Sequence, residues 1–197
     1  MSLKTIFSTG IVHFKNINLD HNKTLSFLKN LNYINTYLNL SEMTQSIKIL
    51  EESEYGKTIK EIFNYYVEKA INEFGYKTNF EILNSWGTRT NPGIGSHPHR
   101  HLNFWLTTTY YPYSDNFNII FQSERNDLPD FDIPIENFNS FNGRSFNLNV
   151  ESGDLLIFPA KVQHSIALNT SNSIRYSLAT NIIPRGFIGS RDSHIFL

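Results

Sequence analysis

The chain has 197 residues, a formal net charge of −1 and a pI of about 6.7, with no block of like charge, which argues against a nucleic-acid or anionic-membrane partner. It contains no cysteine, so disulfides, thiolate metal sites and cysteine nucleophiles are excluded, and any metal must be held by nitrogen and oxygen. No apolar leader and no run of about 18 apolar residues occurs, so the expectation is a soluble cytoplasmic protein of a single domain.

Residues 3–18 alternate loosely through Ile6, Ile11, His13, Phe14 and Ile17 and predict one or two short strands. Asp20 is placed to cap a helix that carries Leu25, Leu28 and Leu31. Residues 41–54 are mixed and polar and read equally as a loop or a short helix. Thr58-Ile59-Lys60-Glu61 reads as a capping box. Ile59, Ile62, Phe63, Tyr66, Val67, Ala70, Ile71 and Phe74 then follow helical spacing up to Gly75, predicting a helix over 58–74.

From Asn79 the period changes to two. Phe80, Ile82, Asn84 and Trp86 fall on one side of a strand, as do Phe104, Leu106, Thr108 and Tyr110 on another. Further strands are predicted at 117–123, 131–135, 144–150, 154–159, 161–168 and 174–182, and Glu151-Ser152-Gly153-Asp154 reads as a turn. Helices first and about eight strands after them predict a mainly β fold with flanking helices: a double-stranded β-helix, the jelly-roll or cupin-like core, backed by N-terminal helices. On this reading 1–78 is the helical flank with the first strands, 79–182 the jelly-roll core and 183–197 a C-terminal extension of one domain. An edge strand near either terminus offers a contact for a homodimer.

Three of the seven histidines fall within Ser96-His97-Pro98-His99-Arg100-His101. In extended backbone His97, His99 and His101 project to one side, and two ligands from one short segment need only a distant third to hold one face of an octahedral ion. His164, in the apolar run Leu155–Ile166, is the obvious distant candidate. Eleven residues further on, Arg175 and Ser177 share a strand face, and an arginine fork beside a hydroxyl suits a carboxylate. Asp115, in the loop Ser114-Asp115-Asn116, reaches a metal at the histidines only if that loop folds back.

The segments Ser85-Trp86, His99-Arg100-His101 with Leu102 to Tyr111, Gly153-Asp154 with Leu155 to Pro159, His164 and Arg175-Tyr176-Ser177 resemble a family of 2-oxoglutarate/iron(II) oxygenases from bacteria and phages. The family pattern is Ser-Trp, His-x-His before Ser-Gly-Val-Tyr-Tyr, Gly-Asp-x-x-x-Phe-Pro, a histidine and Arg-x-Ser. The resemblance covers 85–182 and, more loosely, Ile6-Phe7. It implies an Fe(II)- and 2-oxoglutarate-dependent dioxygenase that uses O2 and hydroxylates a small molecule or peptide side chain with release of succinate and CO2. Carried over by residue, His99, His101 and His164 are the metal ligands, with His97 paired with His99 as an alternative register. Arg175 and Ser177 clamp the cosubstrate, one of the tyrosines at 110–111, with Tyr110 preferred, adds a hydrogen bond, and Trp86, Trp105 and Tyr111 line the substrate pocket.

Two departures stand out. Thr107-Thr108 replace the usual Ser-Gly, and histidine stands where most of the wider superfamily has a carboxylate, leaving the metal site more positive by one charge. The alternative reading is a cupin-like three-histidine metal enzyme, or a metal-binding jelly-roll protein, that does not use 2-oxoglutarate.

Overall fold

The fold was analysed in a computed structural model that describes residues 8–36, 41–123, 131 and 133–197. The expectations resting on Ile6 and Phe7 lie outside the described residues. Of the N-terminal strands predicted over 3–18, the described part forms β1 (Val12–Phe14). Asp20 then caps α1 (His21–Lys29) by accepting a hydrogen bond from the Lys23 amide. Two three-residue strands follow, β2 (Tyr33–Asn35) and β3 (Glu42–Thr44), paired with each other. Neither is long enough to display a period, and the loop-or-helix reading of 41–54 is corrected there.

The second helix, α2 (Glu54–Glu73), starts four residues before the predicted boundary. Ser53 is the cap, accepting from the Gly56 amide at 3.0 Å, while Thr58 donates back to the Glu54 carbonyl instead of capping. Gly56 is needed where it stands: a Cβ there would lie 2.7 Å from the Ile49 carbonyl oxygen, so the first turn presses directly on backbone.

The strands β4 (Asn79–Thr90), β5 (Leu106–Tyr110), β6 (Phe117–Gln122), β7 (Ser145–Val150), β8 (Leu155–Pro159), β9 (His164–Ile166) and β10 (Arg175–Arg185) follow the predicted order. They form a seven-stranded sheet ordered β1-β8-β5-β10-β4-β3-β2 and, facing it, a three-stranded sheet ordered β7-β6-β9. This is the jelly-roll double-stranded β-helix that the sequence predicts. The N-terminal flank supplies three strands of the larger sheet as well as the helices. After Arg185, Gly186 at φ 97 turns the chain into a small pair, β11 (Phe187–Ile188) with β12 (Ile195–Phe196).

The strand predicted at 131–135 is not formed at its described positions: Phe131, Ile133 and Ile135 are exposed, with no strand to pair against, and residue 132 lies outside the described residues. The strand predicted at 161–168 is shortened because the chain first turns, with the Val162 amide donating to the Pro159 carbonyl at 3.0 Å.

Two apolar clusters fill the molecule. One lies between the helices and the larger sheet, where Ile59, Phe63, Val67 and Ile71 of α2 meet Ile82, Leu106, Tyr110, Leu155, Ile157 and Leu178. The other lies between the sheets and gathers Tyr111, Phe117, Ile119, Phe121, Val150, Leu156 and Phe158. β8 feeds both, with Leu155 and Ile157 going to one side and Leu156 and Phe158 to the other. Gly153, at φ 86 in the predicted turn, admits no Cβ, since His21 Nε2 would be 2.6 Å away. Beside it the buried Asp154 accepts from His13 Nε2 at 2.7 Å and from the Asn16 amide at 3.2 Å, fastening β1 to the barrel. Among the described residues no helix is long and apolar enough to cross a membrane.

Candidate metal centre

His99, His101 and His164 converge at one end of the space between the sheets, each offering a ring nitrogen within 4.8 Å of the others. The way the chain brings them together differs from the strand geometry expected. Residues 100–105 form no strand; the segment is instead stitched to the chain around β9 and β8. His99 and His164 exchange both backbone hydrogen bonds at 2.9 Å, and His101 donates from its amide to Ala160 at 2.8 Å. Asn103 at φ 68 then turns the chain toward β5. The backbone pairing makes the separation of two of the imidazoles a property of the sheet rather than of flexible side chains. Their ring centroids are 4.4 Å apart, and His101 lies 5.5 Å from His99 and 5.3 Å from His164.

Each ring is oriented through Nδ1. His99 donates from Nδ1 to the His97 carbonyl at 2.9 Å, His164 to the Val162 carbonyl at 3.0 Å, and His101 to the Asn181 side-chain oxygen at 2.6 Å. Thr107 Oγ1 also faces His101 Nδ1 at 3.1 Å, while donating its own proton to the Thr180 carbonyl at 2.8 Å. With oxygen acceptors at every Nδ1, the lone pair of each ring is left on Nε2, the tautomer of a metal-binding imidazole with its supporting acceptor. Burial, reinforced by the neighbouring His99, lowers the His164 pKa to about 3, and burial also lowers that of His101. These two rings can therefore be neutral ligands at neutral pH. Three imidazoles on one side, with no carboxylate joining them among the described residues, fit a divalent first-row metal with an open face.

Around this cluster the sequence-predicted residues divide. Arg175 is buried between the sheets, its guanidinium 3.7 Å over the Phe117 ring and its Nη1 donating to the Ala167 carbonyl at 3.0 Å. Asp115 lies 3.8 Å from Arg175 Nε and is not part of the histidine cluster, so its loop folds toward the arginine. Ser177 is half-buried one step along the same face of β10. Trp86 stands 5.4 Å from the His101 ring, at the site. Tyr111 is buried in the cluster between the sheets.

Tyr110 and Trp105 point the other way. Tyr110 packs into the helix-side core and its hydroxyl bonds His21 Nδ1 at 2.6 Å, which corrects its expected place beside a cosubstrate. Trp105 stacks edge-on with Tyr76 at 5.5 Å against the helix-side core, which corrects its expected place in the pocket. His97 is exposed and contributes its carbonyl, with its ring outside the cluster. Sequence reasoning missed Asn181 and Thr107. Asn181 lies six residues beyond Arg175 on one strand face, so alternation alone could have found it.

A jelly roll with neutral imidazoles at one end of the intersheet space and a buried arginine on a neighbouring strand defines the class of metal-centred oxygenase barrels. A family model described as "Putative 2OG-Fe(II) oxygenase" matches residues 84–181, and the chain belongs to that family. It is thus a 2-oxoglutarate-dependent oxygenase, an oxidoreductase of a family that uses iron(II), 2-oxoglutarate and O2. No curated protein matches the chain in sequence.

Among solved structures, it is similar to HygX from Streptomyces hygroscopicus with nickel, 2-oxoglutarate and hygromycin B bound, with a TM-score of 0.67 and 13% identity over 93% of this chain and 86% of that one. It is also similar to the epimerase SnoN from nogalamycin biosynthesis, in complex with Fe3+, alpha-ketoglutarate and nogalamycin RO, with a TM-score of 0.66 and 13% identity over 89% and 79%. A prolyl-4-hydroxylase from Pseudomonas putida gives a TM-score of 0.59 and 12% identity over 90% and 94%. At these identities the likeness establishes the fold.

Proposed function

We propose that the protein hydroxylates a small molecule or a peptide side chain in the cytoplasm, with His99, His101 and His164 holding iron(II) and Arg175 with Ser177 gripping the distal carboxylate of 2-oxoglutarate. The observation that carries this reading is the convergence of three imidazoles, each held through Nδ1 by an oxygen, on the same inner space that receives the buried Arg175. Bound there, iron(II) supplies the redox chemistry that couples O2 and the decarboxylation of 2-oxoglutarate, giving succinate and CO2, to oxidation of a substrate C–H bond.

The chain's own part is placement and shielding. Val162 and His97 carbonyls and the Asn181 side chain fix the ring planes, so the open face always points the same way. Arg175 presents a permanent positive charge from a buried position, where attraction to a carboxylate is weakly screened. Phe121 and Phe158, with ring centroids 6.2 and 4.9 Å from His164, line the wall behind that ligand and keep water from it. Trp86 offers an aromatic surface at the mouth, suited to the apolar part of a substrate.

Three neutral ligands leave the ion's full charge to be balanced by what binds, which favours a dianionic cosubstrate. That preference, together with family membership, separates this reading from a cupin-like site that dispenses with 2-oxoglutarate.

The test is anaerobic titration of the metal-free protein with Fe(II) and then 2-oxoglutarate, following the visible charge-transfer band of a chelated 2-keto acid. The expected result is a band that His164→Ala abolishes and Arg175→Ala weakens. Stoichiometric metal binding with no band on adding 2-oxoglutarate would overturn the reading.

A further inference from the structure

The alternation along β4 is broken once. Asn181 and Ile182, consecutive on β10, stand opposite Asn84 and Ile82, so Leu83 is an extra residue and β4 carries a β-bulge there. Strict alternation would keep Phe80, Ile82, Asn84 and Trp86 on one side of the strand, and the bulge divides them. Phe80 and Ile82 join the helix-side core. Asn84 and Trp86 take the inner face instead, Asn84 opposite Asn181 and Trp86 opposite Ala179. Asn181 holds His101, and the Trp86 ring is 5.4 Å from the His101 ring, so the change of phase aims Asn84 and Trp86 at the level of the histidines. Bulges recur beside active sites because they re-aim side chains in this way.

Asn84 is half-buried, and among the described residues its carboxamide has no hydrogen-bond partner. Its polar neighbours on the same face are engaged: Asn181 with His101, and Glu81 with Arg185 at 2.7 Å. The order along the strand says what Asn84 is free to meet. Thr90 lies opposite Arg175 and Thr88 opposite Ser177; Trp86 follows beside His101, and Asn84 comes about 7 Å beyond Trp86. A keto acid spanning the histidines and Arg175 therefore runs away from Asn84, which is left to whatever else enters. The charges around that entrance are balanced. Glu81 and Arg185 neutralise each other, Asp115 accompanies Arg175 at 3.8 Å, and a divalent ion on imidazoles is matched by a dianionic keto acid. Nor does β4 offer an extended peptide an edge here. One side is paired with β10, and on the other Ser85 donates to the Ile47 carbonyl at 2.8 Å and accepts from the Ile49 amide at 3.2 Å.

We propose that Asn84 is a specificity-determining residue that reads the primary substrate, an uncharged small molecule that lays a ring on Trp86 and offers a hydroxyl to the Asn84 carboxamide. The inference rests on the reading of the site as a 2-oxoglutarate centre and names the substrate class for it. A carboxamide both donates and accepts, so it holds a hydroxyl in either sense, and the indole face takes the apolar side of the ring. A charged substrate finds no opposite charge left over and loses its hydration without return.

The chain has two tryptophans, so Trp105→Phe in the full-length protein leaves Trp86 as the only one and makes its fluorescence a reporter of the site. That protein, loaded with zinc(II) and 2-oxoglutarate, is titrated with three probes that share one ring: cis-1,2-cyclohexanediol, cyclohexylamine and cyclohexanecarboxylate. N-acetylproline methylamide serves as the peptide probe. The same titrations on the iron(II) form without O2 follow the charge-transfer band of the chelated keto acid. The expected result is saturable binding of the diol, with the cation, the anion and the peptide probe weaker by about 10-fold. Asn84→Ala should weaken the diol roughly 3- to 10-fold, the scale of one neutral hydrogen bond, and leave 2-oxoglutarate affinity unchanged. Asn84→Asp, which keeps the shape and adds a negative charge, should turn the preference toward cyclohexylamine. Equal diol binding by wild type and Asn84→Ala would overturn the role of Asn84. A parallel loss of 2-oxoglutarate in that variant would do the same, by moving Asn84 to the cosubstrate. A wild-type site that ignores the diol, or prefers the peptide or a charged probe, would overturn the substrate class while the 2-oxoglutarate centre stands. If wild type binds no 2-oxoglutarate, the reading of the whole site fails and this one with it.

Discussion

The two faces of the larger sheet are made by the same strands and do opposite things. On the side toward the helices, Leu106, Tyr110, Leu155, Ile157 and Leu178 meet α2 in an apolar layer whose polar atoms are paired, as Tyr110 is with His21 and Thr108 with Thr180. On the side toward the smaller sheet, Thr107, Asn181 and Arg175 bring hydroxyl, amide and guanidinium groups into the interior. One face is finished without a ligand; the other is polar beyond what the fold alone needs. Stability is invested in the first and binding in the second.

The strongest way to break that comparison is Phe63→Ala. Phe63 is fully buried on α2, with its ring 5.8 Å from that of Tyr110, and truncating it should destabilise the fold by about 3–5 kcal/mol, read from denaturant midpoints. Metal and 2-oxoglutarate affinity of the folded fraction should not change; a parallel loss of affinity would show the faces to be coupled.

Acid sharpens the contrast from the other side. The folded protein keeps His164 neutral down to about 3, whereas the unfolded chain takes up that proton near the ordinary value of 6.5. The unfolded state thus binds more protons between those limits, and stability of the metal-free protein should fall as pH drops through that window. His101, lowered by burial, acts in the same sense. Urea midpoints against pH should show a shallower decline for His164→Gln, which has no such proton to take up; identical slopes would remove His164 as the cause.

The smallest expected effect is that of Tyr110→Phe. It removes the hydrogen bond to His21 and should cost about 1 kcal/mol in stability while leaving 2-oxoglutarate binding intact, because that hydroxyl faces the helices. Weakened cosubstrate binding would return Tyr110 to the site.

Much of the site was legible because its chemistry is concentrated in short motifs. The spacing of His99 and His101 and the solitary His164 in an apolar run survive as neighbours in space, although the histidine segment reaches its place through backbone bonds to His164 and Ala160 and not as a strand. The supports of the rings were harder to see. The His97 and Val162 carbonyls are backbone groups, which every residue carries, so no residue type marks them. Asn181 and Thr107 are ordinary strand residues by type, and only their partners distinguish them.

What the sequence determined by itself was periodicity: a helix through the middle of α2, alternating strands from Asn79 on, a turn at Gly153 and the set of groups able to hold a metal. What it left undecided was which of two alternating sets faces which neighbour. Alternation places Tyr110 and Tyr111 on opposite sides of a strand, and a one-residue choice exchanges every side chain between the two. Trp105 and Trp86 posed the same question on different strands. Only the packing of α2 against one side of the sheet and of β6 and β9 against the other broke that symmetry. The reason is physical: an isolated strand has two equivalent faces, and burial against a partner is what makes one of them an interior and the other a site.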